Sequence, residues 1–154
     1  MIGLADSAMR AKDDCNQLLD ATVPRAERML REHGEFFPFG AQMLSSGEIV
    51  AVVAHGGDER PPSQHLIDLL KKSFKAGAHE GELVATALVY DALVTLPKMD
   101  RKSDAIAVRL DYHDNYSVIV FFPYIIADGG PLIGEAFSTI GEHAIFPSPS
   151  PIRI

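Results

Sequence analysis

The stretch Ser103 to Ile126 dictates its own pairing. It runs Asp104-Ala-Ile-Ala-Val-Arg-Leu-Asp-Tyr112, then His113-Asp114-Asn115, then Tyr116-Ser-Val-Ile-Val-Phe-Phe122. A three-residue loop ending in a residue that tolerates positive φ, as Asn115 does, fits a type I turn with a bulge. That loop sets Tyr112 opposite Tyr116, Leu110 opposite Val118, Val108 opposite Val120 and Ile106 opposite Phe122. Matched apolar pairs on one face hold this register, because a slip of one residue would turn all of them to the other side. An antiparallel sheet with at least one buried face follows.

Other segments read as elements that cover or extend this sheet. Leu4, Ala8, Ala11, Cys15, Leu18, Ala26, Met29 and Leu30 recur mostly at helical spacing, and Gly34 supplies the cap. Pro24 has no N–H to donate, so the helix is expected to kink or restart near Thr22, acting as an N-cap. Phe36 to His55 is a second hairpin around Ser45-Ser46-Gly47. It pairs Met43 with Ile49, Ala41 with Ala51, Phe39 with Val53 and Phe37 with His55 on a buried face, and Pro38 confines its start to an edge or bulge. Ser63 is the expected cap of a helix with inner positions Leu66, Leu69, Leu70, Ser73, Phe74 and Gly77. Leu83 to Leu96 is long enough for a helix, but Val84, Thr86, Val89, Tyr90, Val94 and Thr95 favour a strand. After a turn at Asp128-Gly129-Gly130-Pro131, a short helix is expected over 132–141, and 147–154 is an extended Pro-rich tail.

The predicted fold is α+β: a single five-stranded antiparallel sheet, a hairpin plus a three-stranded meander, with helices packed mainly on one face. One domain spans residues 1–154. The layout resembles the roadblock, longin and profilin-like group, which implies an interaction scaffold that often dimerises. His33-Gly-Glu-Phe-Phe-Pro-Phe-Gly40 followed by Gly47-Glu-Ile resembles a pattern in a family of small uncharacterised bacterial α+β proteins. That resemblance implies a bacterial origin and brings no activity with it.

Composition narrows the function classes. An apolar fraction of 47% and a charged fraction of 23% suit an ordinary globular domain. With net charge −7 and no basic cluster denser than Lys71, Lys72 and Lys75, the chain lacks the cationic stripe that nucleic acid requires. Cys15 is the sole cysteine, which excludes an intramolecular disulfide, and its place on the apolar helix stripe predicts a buried structural thiol. The N-terminus has no apolar signal segment, and the longest apolar run, Val118 to Ala127, is about half of the ~20 residues a spanning helix needs. A cytoplasmic protein without membrane contact is expected.

No nucleophile-elbow, phosphate-loop, dinucleotide or His-Glu-x-x-His motif is present. His55, Asp58 and His65 are ligands of the right type for zinc and could converge from a strand end, a loop and a helix start, though their spacing matches no ligand motif. A satisfied core histidine is the plainer reading of His55. Asp111, His113 and Asp114 group acids around a base at a hairpin tip, where Asp and Asn serve the turn. Asp91 interrupts an apolar strand and needs a partner, for which Arg109 on the next strand is expected. Phe37, Phe39, Tyr90 and Asp91 suggest a pocket between sheet and helices. On the uncovered sheet face, Ile119 and Phe121 beside Arg109 form an expected interface. The sequence therefore favours a non-enzymatic protein-binding module of regulatory or immunity type, with no cofactor and with another protein or a second copy of itself as partner. A small metal-assisted hydrolase and a small-ligand-binding domain are the alternatives.

Overall fold

Ile106, Val108 and Leu110 lie fully buried at the centre of a sheet whose every long strand is antiparallel to its neighbours. The computed structural model describes residues 4–55, 57 and 60–147, with the elements α1 (Leu4–His33), β1 (Phe39–Leu44), β2 (Ile49–Val52), α2 (Ser63–His79), β3 (Leu83–Thr95), β4 (Lys102–Tyr112), β5 (Tyr116–Ala127), β6 (Gly130–Ile133) and β7 (Phe137–Ile140). Strand order is β2-β1-β3-β4-β5, with β6 and β7 end to end along the outer edge of β5. The β4–β5 hairpin has the predicted register at all four apolar pairs, and Asn115 takes a φ of 53° in its loop. Leu83–Thr95 is a strand, as its β-branched content requires.

The sheet has seven strands rather than five. The missing pair begins at Asp128-Gly129, a two-residue hairpin loop joining Ala127 to its partner Gly130. Gly129 at φ 93° supplies the left-handed geometry such loops demand. Pro131 is tolerated in β6 because that strand is an edge. Phe137–Ile140 then pairs with Val118–Phe121 where a helix was expected. Apolar and β-branched residues finding an open strand edge override the weak helical pattern.

The helices sit on opposite faces, which corrects the one-face arrangement. Helix α1 places Ala11, Cys15, Leu18, Val23, Ala26 and Leu30 against Met43, Ala87, Val89, Ile106, Val108 and Leu110. Helix α2 places Leu70 and Phe74 against Leu88 on the other side, joined there by Ile145 of the C-terminal segment. The alternation of β3 allows both: Ala85, Ala87 and Val89 face α1, whereas Leu88 faces α2. Gly40 makes the second contact close. A side-chain carbon there would lie 2.6 Å from the Phe74 ring and 2.7 Å from the Ala87 carbonyl oxygen.

Three local expectations change. Helix α1 continues through Pro24 without a restart, and Thr22 is buried inside it. Its hydroxyl donates to the Leu18 carbonyl at 2.8 Å instead of capping. Pro62, not Ser63, occupies the cap position of α2, with no side-chain cap bond. In the first hairpin, the Met43–Ile49 and Ala41–Ala51 pairs form, but the ladder ends at Gly40–Val52. Val53 and His55 are exposed, since β2 is an edge strand and the chain leaves it at Val53. Gly34 ends α1 as expected, its N–H bonded to the Leu30 carbonyl. The tail beyond Pro147 lies outside the described residues.

The register yields a direct test. Val108→Asp places a carboxylate at a fully buried position between two strands. It is expected to cost about 3 kcal/mol or more in thermal or urea unfolding. Asp114→Ala, at the exposed loop tip, should change stability by less than about 0.5 kcal/mol. Equal stability of Val108→Asp and wild type would contradict the strand assignment.

Candidate functional site

The metal-ligand trio does not assemble into a described site. His55 and His65 are both exposed, and Asp58 lies outside the described residues. His55 is thus no core histidine. Among the described residues, no three His, Cys, Asp or Glu side chains converge on a point that could hold a metal ion. Cys15 is buried against the sheet, and that burial pushes its thiol pKa up to about 12. At such a value the reactive thiolate is scarce near neutrality, which suits packing over chemistry.

Asp91 and Arg109 do not pair. The register puts Arg109 opposite Leu88 and Asp91 opposite Ile106, so they occupy different faces. Asp91 instead accepts a 2.8 Å hydrogen bond from the Tyr124 hydroxyl. Partial burial raises its pKa and the nearby Asp104 charge adds to this, while the Tyr124 bond opposes it. Because the residue stays exposed on the strand, solvent screens much of this effect. Arg109 finds Tyr90, donating to its hydroxyl at 2.9 Å with the guanidinium 5.2 Å from the ring centroid.

A polar cluster that the sequence reading missed lies near the β4–β5 turn. Asp111 is buried, and Ser117 directly opposite donates to its carboxylate at 3.0 Å. The Ser117 hydroxyl also accepts the His143 backbone N–H at 3.2 Å, and the Ile145 N–H bonds to Asp111. Together with Gly141 N–H on the Ser117 carbonyl, these bonds fasten the C-terminal segment to the sheet. The residue types are those of a hydrolytic triad, but Ser117 gives its proton to the carboxylate rather than to an imidazole. Gly141 packs so tightly on the Ser117 hydroxyl that even a methyl group there would collide. The cluster is a clasp. The predicted register already set Asp111 across from Ser117; the arrival of residues 141–145 depended on the unforeseen strands.

Three hollows bear on the expected pocket and interface. One, of about 470 Å³, lies between α1 and the start of α2 and is lined in part by Arg25, Met29, Phe37, Phe39, His55 and Leu66. The expected pocket thus divides: Phe37 and Phe39 line this cleft, while Tyr90 and Asp91 lie elsewhere on opposite faces. The other two, of about 490 and 520 Å³, adjoin at the open end of the β3–β4–β5 meander and share Leu96, Met99, Pro123 and Gly134. Here burial fades: β3 is buried through Val89 and alternates with solvent beyond it. Leu93, Met99, Ile125 and Leu132 are 65%, 61%, 60% and 58% exposed. The expected interface residues Ile119 and Phe121 are only half-buried by comparison, with Phe121 stacked on Phe137 at 5.1 Å between centroids. Strand β7 thus shields part of the face that the sequence left open.

Among the described residues no helix is long and apolar enough to cross a membrane. The chain matches no protein-family model, no curated protein and no solved structure.

Asp111 sets a pH signature. Burial raises its pKa above the unfolded value of about 3.9, against the opposing influence of Ser117, His143, the Ile145 N–H and Arg109. The folded state then holds the proton more tightly, so this group's contribution to stability rises as pH falls through the raised pKa. Relative to Asp111→Asn, the wild type should gain melting temperature between pH 7 and about pH 4. A gap that stays constant or moves the other way would show that the clasp bonds outweigh burial.

Proposed function

We propose that this chain is a non-enzymatic protein-binding module, regulatory or immunity-type in role, that associates with a second copy of itself through the open end of its sheet. The carrying observation is the group Leu93, Met99, Ile125 and Leu132, all exposed around adjoining hollows. Exposed apolar side chains of this size, gathered from both faces at one end of a sheet, favour association. The rim carries both signs of charge, with Lys98, Arg101 and Lys102 beside Asp104 and Glu135. A two-fold axis sets one patch against itself, so a rim of mixed sign can meet its own complement, whereas a rim of one sign would repel. Phe121 adjoins this surface through the stacked Phe137, and Ile119 and its partner Arg109 lie further along the same sheet face. The bacterial assignment follows the motif at His33–Gly40 and adds no detail of partner.

Sedimentation of the full chain at micromolar concentration tests this reading. A dimer of twice 16.7 kDa is expected, and the double change Ile125→Asp with Leu132→Asp should shift it to monomer with unchanged circular dichroism. Both side chains are already exposed, so the monomer should remain folded. A wild-type chain that sediments as a monomer across the micromolar range would overturn self-association.

A further inference from the structure

The proposed association at the sheet end leaves the cleft between α1 and α2 without a role, and this cleft holds a cation that none of the described residues neutralises. Three arginines lie over aromatic rings: Arg25 over Phe39, Arg60 over Phe37 and Arg109 over Tyr90. Arg60 is paired with Glu35, and Arg109 donates to the Tyr90 hydroxyl. Among the described residues, Arg25 has no ion pair and no side-chain hydrogen bond. Its own helix offers none either, since the positions three and four residues away are Ala21, Thr22, Arg28 and Met29.

The guanidinium is nonetheless held in place. It lies 5.0 Å from the centroid of Phe39, a buried ring fixed by edge-on contact with Phe36. A stacked guanidinium spends its face on the ring and keeps its in-plane N–H groups for an oxyanion. Around it Met29, Phe37, Val53, Pro61 and Leu66 supply apolar walls, with exposed His55 also lining the cleft. A volume of about 470 Å³ lies within the range of small-molecule sites.

We infer that this cleft binds a small organic anion with an aromatic body, its carboxylate, sulfonate or phosphate on Arg25 and its ring against Met29, Phe37 and Leu66. The charge selects the head group and the walls select the body. Neither a bare inorganic anion nor a neutral hydrocarbon satisfies both.

The test uses two probes of similar shape on the full chain, anionic 1-anilinonaphthalene-8-sulfonate and neutral N-phenyl-1-naphthylamine. Saturable one-to-one fluorescence binding of the sulfonate is expected. Arg25→Gln should weaken it by about tenfold or more while altering the neutral probe by less than about twofold. Arg25→Lys, which keeps the charge and loses the fork, should fall between. Phe37→Ala should weaken both probes. Ile125→Asp with Leu132→Asp should leave both unchanged, which separates the cleft from the association surface. Absence of saturable sulfonate binding, equal loss of both probes in Arg25→Gln, or loss confined to the Ile125/Leu132 variant would each overturn the inference.

Discussion

The pairing of β4 with β5 is the constraint on which the rest of the structure depends. Strand β4 is flanked along its length by β3 and β5, and Ala105 through Val108 are fully buried. Alternation along β4 assigns each residue to a layer. Ile106, Val108 and Leu110 meet α1, and Ala105, Ala107, Arg109 and Asp111 take the opposite face. A shift of one residue would send Arg109 and Asp111 into the α1 core and expose the largest apolar contacts of the sheet. It would also separate Asp111 from Ser117, and with them the anchor of the C-terminal segment.

The same meander overruns its helices. The buried part of α1, Ala11 to Leu30, spans about 30 Å, whereas the 13 residues of β3 extend about 43 Å. Strand length in excess of helical cover leaves apolar residues at the far end, around Leu93 and Ile125, facing water on both faces. The cleft arises at another margin, where Val53 and His55, beyond the end of β2, meet Arg25 and Met29 of α1 and Leu66 of α2. Both surfaces are therefore consequences of how two helices cover one long sheet, and they differ in chemistry because the guanidinium in the cleft, Arg25, lies over a buried aromatic ring.

Legibility in the sequence followed the range of the information each feature needed. The hairpin register was legible because turn chemistry and cross-strand pattern are local and agree. Leu83–Thr95 was legible because β-branched residues prefer the pleated surface whatever they pack on. Strands β6 and β7 were missed although Asp128-Gly129 is a strong hairpin signal, because nothing nearby revealed that the edge of β5 was free. The Asp91 partner was misjudged because β-register across the long β3–β4 connection was unknown, and that register alone puts Arg109 on the other face. His55 looked buried only while the first hairpin was extended past Val52. Arg25 carried no motif; its significance lies in the absence of an acid at helical spacing and in a distant ring, Phe39, that brings it into the cleft.

Native-state amide hydrogen exchange tests the central dependence most directly. If the β4–β5 register holds the molecule together, the amides of Ile106 to Leu110 and Val118 to Phe122 that lie in the ladders should be the slowest in the chain, opening only with global unfolding. Exchange of these amides by local opening, faster than that of Cys15 and Leu18 in α1, would contradict the account.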